Sequence, residues 1–182
     1  MMQNPSDVGA VLKSSRNLAD HMATTAGVRE ADLVVEYGPG TGAITQSIVE
    51  QAPDPSKIHC LEINVTFVEL LRRQYPLIHV HNDSATDVCQ CLSNLGHTSV
   101  DAIVSGLPFS MFDSALQNEI ISETHNVLAP GGKFVTFIYC GSPYLPKGRS
   151  FQNNLSKHFK SVEKSQVIWK NFPPAYTLCA TK

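Results

Sequence analysis

Short apolar runs alternate with stretches of helical periodicity along most of the chain. Leu33-Val34-Val35 ends in Glu36 and then in glycines, the pattern of a strand feeding a turn. Ala43 to Gln51 follows with helical spacing, Ile44, Ile48 and Val49 forming one stripe. Ile58 to Leu61 reads as a second strand, and Val65 to Tyr75 as a helix that turns Phe67, Val68, Leu70 and Leu71 inward. A strand over Leu77 to His81 precedes a helix through Val88 to Leu95. A strand over Val100 to Val104 precedes a helix from Ser114 to Leu128, stopped by Pro130-Gly131-Gly132. Phe134 to Tyr139 is the fifth strand. A loop from Gly141 to Lys147, a helix near Phe151 to Phe159 and strands around Val162–Trp169 and Ala175–Ala180 close the chain. Strands alternating with helices imply right-handed crossovers and a parallel sheet covered on both faces. The last two strands have no room for a helix between them, which implies an antiparallel hairpin. The expected fold is therefore α/β, a doubly wound, mostly parallel seven-stranded sheet with an antiparallel C-terminal hairpin.

Nothing divides the sequence into parts: no repeat, low-complexity tract or linker interrupts it. Its 182 residues suit one domain, 1–182, burying roughly 70% of the surface an unfolded chain exposes. No apolar run reaches the ~18 residues of a membrane span. The N-terminus lacks a basic start followed by an apolar stretch, so no secretory signal is expected. Five Cys without pairing or zinc-site spacing fit reduced thiols in a soluble cytoplasmic protein. The net charge of -2 hides an asymmetry. Residues 1–132 hold six Lys/Arg against fifteen Asp/Glu, whereas residues 133–182 hold eight against Glu163 alone. A basic third beside an acidic body steers toward phosphates, of lipid head groups or of nucleic acid.

In doubly wound sheets ligands bind over the carboxyl ends of the strands, near the point where the winding reverses. The sequence there is Glu36-Tyr37-Gly38-Pro39-Gly40-Thr41-Gly42. Gly38, Gly40 and Gly42 allow a tight turn and a backbone close enough to touch a ligand, and Thr41 is expected to present its hydroxyl at the helix start. The spacing is GxGxG, not the GxGxxG of a pyrophosphate site, and no GxxxxGK[ST] is present. A carboxylate before the glycines repels pyrophosphate but suits an ammonium or a sulfonium. Glu62, followed by Ile63, ends the second strand, where a carboxylate accepts both hydroxyls of a ribose. Asp83-Ser84-Ala85 follows the third strand, where an acceptor and a backbone N–H suit an adenine edge.

The segments EYGPGTG, LEIN, NDSA and SGLPFS resemble the successive motifs of class I S-adenosylmethionine (SAM)-dependent methyltransferases. The resemblance implies a Rossmann-like methyltransferase sheet with SAM as cofactor. Glu36, Gly38, Gly40, Thr41 and Gly42 would hold the methionine portion, Glu62 the ribose hydroxyls, and Asp83 with Ser84 the adenine, Ile63 and Ser105 lining the same cleft. Two branches carry a glycine turn like EYGPGTG. One is the ribosomal RNA adenine dimethyltransferases, with an Asn-Leu-Pro motif after strand four, and the other is the bacterial phospholipid N-methyltransferases. Ser105-Gly106-Leu107-Pro108 is similar to the lipid branch, with Gly106 in place of that Asn. Residues 8–22, the strand ending Phe137-Ile138-Tyr139 and the late Asn171-Phe172-Pro173-Pro174-Ala175 also resemble the lipid branch, Lys13 departing from it. The resemblance thus implies methyl transfer to phosphatidylethanolamine, with the protein cytoplasmic and peripheral at an anionic inner-membrane surface. RNA-adenine and small-molecule acceptors are the alternatives.

Methyl transfer to an amine needs alignment, exclusion of water and prior loss of the ammonium proton. Carbonyls around Gly106 and Leu107 are expected to orient the amine, and Phe109 or Tyr139 to flank the cation as methyl groups accumulate. Tyr139 is the preferred proton acceptor, ahead of His21 and His125; Tyr176 and Trp169 read as packing residues. Residues 1–24 read as a lid or a membrane-contact helix, with Val8, Val11, Leu12, Leu18 and Met22 on one face. No metal is expected, because the seven His lack a ligand-spaced carboxylate cluster and Cys89 and Cys91 diverge on a helix.

Overall fold

Strands that are apolar on both faces need cover on both, and the chain supplies it with two layers of helices. The computed structural model describes residues 14–141 and 146–182. β1 (Val34–Tyr37), β2 (Ile58–Leu61), β3 (His79–His81), β4 (Val100–Ser105) and β5 (Leu128–Tyr139) run parallel. β7 (Ala175–Thr181) lies antiparallel between β5 and β6 (Ser161–Lys164), giving the order β3-β2-β1-β4-β5-β7-β6. The winding reverses between β1 and β4, which opens a crevice over their carboxyl ends.

α1 (Arg16–Ala26), α2 (Ala43–Gln51) and α3 (Val65–Gln74) cover one face, where Leu18, Met22, Ile48 and Leu71 join Val34, Val104 and Val135 in one core. α4 (Val88–Asn94), α5 (Ser114–Val127) and α6 (Pro146–His158) cover the other, with Ile121, Phe151 and Leu155 against Tyr37, Ile103 and Phe134. Three of the helix starts have a side-chain cap. Ser15 caps α1 by accepting the Leu18 N–H, Asn64 caps α3 through Thr66, and Asp113 caps α5 through Leu116. Leu18 and Met22 are buried in the protein itself, while Val8, Val11, Leu12 and Lys13 lie outside the described residues.

Several elements depart from the pattern. Pro130-Gly131-Gly132 does not separate helix from strand: β5 runs through it, because a register shift between Val100 and Ala102 absorbs the irregularity. On α3 only Val68 and Leu71 are buried, Leu70 facing outward near the sheet edge. β6 stops at Lys164; beyond it the Ser165 N–H still donates to the Thr177 carbonyl at 3.0 Å and Ile168 bridges back to Ala175. Tyr176 packs as expected, buried with Lys164 Nζ 3.8 Å above its ring; Trp169 does not, being 77% exposed.

The β2–β3 register, with the segment after α4, also gathers four histidines far apart in sequence. His59 pairs with His79, and its ring lies 4.8 Å from that of His79 and 5.3 Å from those of His81 and His97. His59 Nδ1 is 3.0 Å from His81 Nε2, so one ring donates to the other. Burial, then the neighbouring imidazoles, push His59 down to about 4. An unfolded histidine protonates near pH 6.5, so stability present above that pH is lost as the pH falls toward 4. The melting temperature is expected to drop across this window by the equivalent of about 1–3 kcal/mol. His59→Leu should flatten the profile; an unchanged slope in that variant would clear His59 of the effect.

Candidate functional site

β1 ends at Tyr37, and the chain must turn into α2 within a few residues. Gly38 (φ 62), Gly40 (φ 56) and Gly42 (φ 87) make the turn in left-handed backbone that side chains rarely adopt. A Cβ on Gly38 would lie 2.7 Å from Leu107 Cδ2, whereas one on Gly40 would meet nothing within 4 Å, so the backbone there faces open space. Gly42, not Thr41, is the N-cap of α2, and no side chain caps that helix. Thr41 is exposed, and the first-turn N–H groups of α2 face the crevice, a position suited to a carboxylate.

Glu36 stands directly before this turn and is 0% exposed. Its Oε2 is 3.6 Å from the Cys60 thiol, while Oε1 is buried without a hydrogen-bond partner, as is the nearby Thr45 hydroxyl. Burial pushes the Glu36 carboxyl up to about 8, the Thr45 hydroxyl and Cys60 thiol opposing the shift and the Glu62 carboxylate adding to it. Thr45 thus acts electrostatically, without a hydrogen bond of ordinary geometry. A buried acceptor that the protein leaves unused is costly, and the cost is relieved by a cation with N–H donors.

Glu62 is tied to the same turn. Its Oε2 accepts the Gly40 N–H at 3.0 Å and its Oε1 the Asn64 N–H at 2.8 Å, leaving further lone pairs for hydroxyl donors. Asn82 joins the ends of β2 and β3 by donating to the Glu62 and Ile63 carbonyls at 2.9 and 3.0 Å. The sequence assigns Asn82 no role, although an amide just before Asp83 at a strand end is the signal it offers. Ile63 is 59% exposed, an apolar surface beside the glycine turn. Asp83 is exposed, and the Ser84 hydroxyl accepts from the Thr86 N–H and hydroxyl. SAM or its product S-adenosylhomocysteine (SAH) should bind about 1–3 kcal/mol more weakly to Glu62→Ala, through loss of charge-assisted hydrogen bonds. Calorimetry with SAH checks this; unaltered affinity in a folded variant removes Glu62 from the site.

At the end of β4 the buried Ser105 hydroxyl accepts the Leu107 N–H at 3.2 Å, and its carbonyl accepts the Thr136 hydroxyl at 3.3 Å. The Gly106 N–H donates to the Tyr37 carbonyl at 2.8 Å, and a Cβ on Gly106 would stand 2.8 Å from the Gly38 carbonyl oxygen. The glycine turn and the SGLP segment are therefore in direct backbone contact, with Leu107 against Gly38.

Phe109 does not flank an amine. It is 1% exposed, its ring stacked 4.2 Å from Phe151 and edge-on to Phe112 and Phe134, because the turn after Pro108 drives it into the α5–α6 core. Tyr139 stands half-buried at the carboxyl end of β5, 5.2 Å from the Phe137 ring. Burial raises its hydroxyl pKa further, so it stays protonated and is no ready proton acceptor. His21 lies on α1 with Nε2 3.5 Å from Thr25 Oγ1. His125 packs on Phe159 near the C-terminal end of α5, at the opposite end of the sheet from the crevice.

Ligand-type atoms of His81, Asp83 and Cys91 lie within 4.8 Å of one another. No spacing along the chain announces this group, because its members come from β3, the following turn and α4. A concavity lined by Glu30, Asp32, Asp54, Lys57, His97 and Asp101 opens at the amino ends of the strands, away from the glycines. Among the described residues no helix is long and apolar enough to cross a membrane.

A family model described as a methyltransferase domain matches residues 34–132. The chain is 35% identical over 107 residues to an ornithine lipid N-methyltransferase of Singulisphaera acidiphila, covering 57% of this chain and 56% of that protein. It is 29% identical over 126 residues to a ribosomal RNA small subunit methyltransferase A of Hydrogenobaculum, covering 69% of this chain and 47% of that protein. The matches thus span about half the length of these relatives. Among solved structures, an O-methyltransferase from Bacillus cereus in complex with SAH superposes with a TM-score of 0.73 at 14% identity, over 98% of this chain and 87% of that one. The magnesium protoporphyrin IX methyltransferase of Synechocystis, with SAM bound, gives 0.70 at 11% identity, over 100% and 86%. The N-methyltransferase NodS of Bradyrhizobium japonicum gives 0.70 at 10%, over 92% and 95%.

Proposed function

Because the chain belongs to the methyltransferase domain family and is a class I SAM-dependent methyltransferase, we propose that it methylates the amine of phosphatidylethanolamine and of its partly methylated derivatives. The observation that carries the lipid reading is Gly106. With the Gly38 carbonyl 2.8 Å from any Cβ, the position has no room for the Asn side chain by which the RNA branch would hold a planar amine. The 35% identity to a lipid N-methyltransferase supports the same acceptor class.

The residues fit the cofactor: an unused buried carboxylate oxygen, an open glycine turn and a carboxylate anchored to that turn. Glu36, Gly38, Gly40 and Gly42, with the α2 N-terminus, would hold the methionine ammonium and carboxylate. Glu62 would take the ribose hydroxyls, and Ile63, Asp83 and the Ser84 backbone the adenine. SAM would supply a sulfonium methyl: an N–C bond would form as the S–C bond breaks, leaving SAH and a methylated ammonium that gives its proton to solvent. The chain aligns the amine: carbonyls of Gly106 and Leu107, with the Tyr139 hydroxyl, orient it. Ser105 fixes those carbonyls through the Leu107 N–H and Thr136. The basic residues beyond 132 draw the protein to anionic lipid.

The test is label transfer from radiolabelled SAM to phosphatidylethanolamine vesicles and, separately, to ribosomal RNA. Mono-, di- or trimethylated head groups are the expected product. Label in RNA instead would overturn the acceptor and leave the cofactor site standing; the ribosomal RNA methyltransferase relatives make this arm necessary.

A further inference from the structure

We infer that the turn formed by residues 165–174 is the edge that this enzyme inserts into an anionic phospholipid surface, Trp169 and Phe172 entering the interface and Lys170 meeting head-group phosphate. The inference rests on the lipid reading above and adds the element that makes the contact.

The turn joins β6 to β7 and is firmly built. The Ile168 N–H donates to the Ala175 carbonyl at 2.7 Å, and the Ile168 side chain packs against the α1 side of the core. Asn171 is 2% exposed. Its N–H donates to the Ile168 carbonyl at 3.2 Å, its Nδ2 to the Pro173 carbonyl at 2.7 Å, and its Oδ1 accepts the Ser15 N–H at 2.8 Å. With 168 and 171 pinned inward, 169, 170 and 172 point out. Trp169 is 77% and Phe172 85% exposed, more than any other exposed large apolar side chain among the described residues. Scattered apolar residues on a surface need no explanation, but two aromatics held outward by a buried, hydrogen-bonded asparagine do.

Position and charge identify the occupant. Ala175 is the register partner of Tyr139, so the turn borders the carboxyl end of β5, where the acceptor must enter. Lys170 is exposed between the two aromatics, and Arg149 is exposed near the start of α6 at the same end of the sheet. These belong to the third of the chain that carries eight Lys/Arg against one Glu. Ser15, the N-cap of α1, hangs on the same corner through Asn171. Tryptophan at the head-group level beside lysines that meet anionic phosphate is the composition of a membrane-interface anchor.

Trp169 is the single tryptophan of the chain, so its fluorescence reports on the turn alone. Vesicles of phosphatidylglycerol and phosphatidylethanolamine should shift its emission to the blue, brominated acyl chains should quench it, and added salt should weaken both effects. Binding of the Trp169→Ala/Phe172→Ala variant to the same vesicles, read by co-sedimentation, should fall at least tenfold with SAH affinity retained. Absence of shift and quenching, a shift that follows protein concentration without lipid, or undiminished binding of the variant would overturn the inference. Quenching by vesicles whose lipid is never methylated would uphold the membrane edge and sink the acceptor reading. Methylation of vesicle lipid with Trp169 unquenched would do the reverse.

Discussion

Glu36→Gln is expected to give a more heat-stable protein that binds SAH at least a hundredfold more weakly. The Glu36 carboxyl titrates near 8 in the folded chain against an ordinary value of 4.5, because burial disfavours its charge. A carboxyl whose folded pKa is raised contributes stability that is intact below the unfolded pKa and is lost as the pH rises toward the folded one. At pH 7 folding must therefore bind a proton or bury a charge, at a cost of about 3 kcal/mol. Glutamine avoids that cost, and its amide has the partnerless Thr45 hydroxyl nearby as an acceptor. The gain, ~4–10 °C in melting temperature at pH 7 for a domain of this size, should be small at pH 5 and widen toward pH 8. The affinity moves the other way. The ammonium of SAH requires the ionised carboxylate, and deleting one charge of a buried pair costs about 3 kcal/mol or more. Wild-type affinity should rise with pH to about 8, where the ligand's own α-amino group begins to lose its proton. The variant should lack that rise. Calorimetry and thermal denaturation over the same pH range decide the matter. A variant no more stable than wild type that still binds SAH would make Glu36 a core residue.

That trade-off explains why the site is easier to read in the sequence than its energetics. Glu36, the glycines, Glu62 and Asp83 stand at strand ends, and strand ends are legible: Ile58–Leu61 and Ala43–Gln51 fall where their apolar runs put them, bounded by Pro, Gly and charge. What the pattern does not carry is tertiary proximity. Phe109 follows a proline in a strand-end loop and reads as a site residue, until Phe151 of α6 is seen to stack on it. His59, His79 and His81 become neighbours only through the β2–β3 register, and His97 joins them from the segment after α4. Trp169 lies in an apolar stretch that continues the β6 pattern, but the strand ends at Lys164 and Asn171 holds the tryptophan outward. The helix before Pro130-Gly131-Gly132 stops at Val127, within one residue of its expected end, but β5 begins at Leu128 and not at Phe134 for the converse reason: local turn chemistry yields to a sheet that can absorb one irregularity.

Gly106→Ala should lower SAH affinity at least tenfold and turnover with it, whatever the acceptor, and Gly106→Asn should do more damage. Gly106 is not among the glycines with left-handed backbone, so no conformational demand excludes a side chain there. The demand is proximity. A Cβ would sit 2.8 Å from the Gly38 carbonyl oxygen and 3.6 Å from the Tyr37 carbonyl oxygen and the Ile44 methyl. The nearest neighbour is backbone and cannot swing aside as a side-chain tip would. Gly38 in turn donates to the Leu61 carbonyl at 3.0 Å and lies against Leu107, so displacing it moves the turn that Glu62 holds through Gly40. Overpacking at such a contact costs about 1–3 kcal/mol of stability, enough to shift the turn without unfolding the domain. The asparagine variant restores the residue of the RNA branch and still should not label RNA, because its side chain arrives by pushing the cofactor turn out of place. SAH calorimetry and label transfer on both variants separate the two effects. If Gly106→Asn kept its affinity for SAH and transferred label to RNA, the acceptor would be set by position 106 alone, and the backbone contact with Gly38 would carry no weight in the lipid reading.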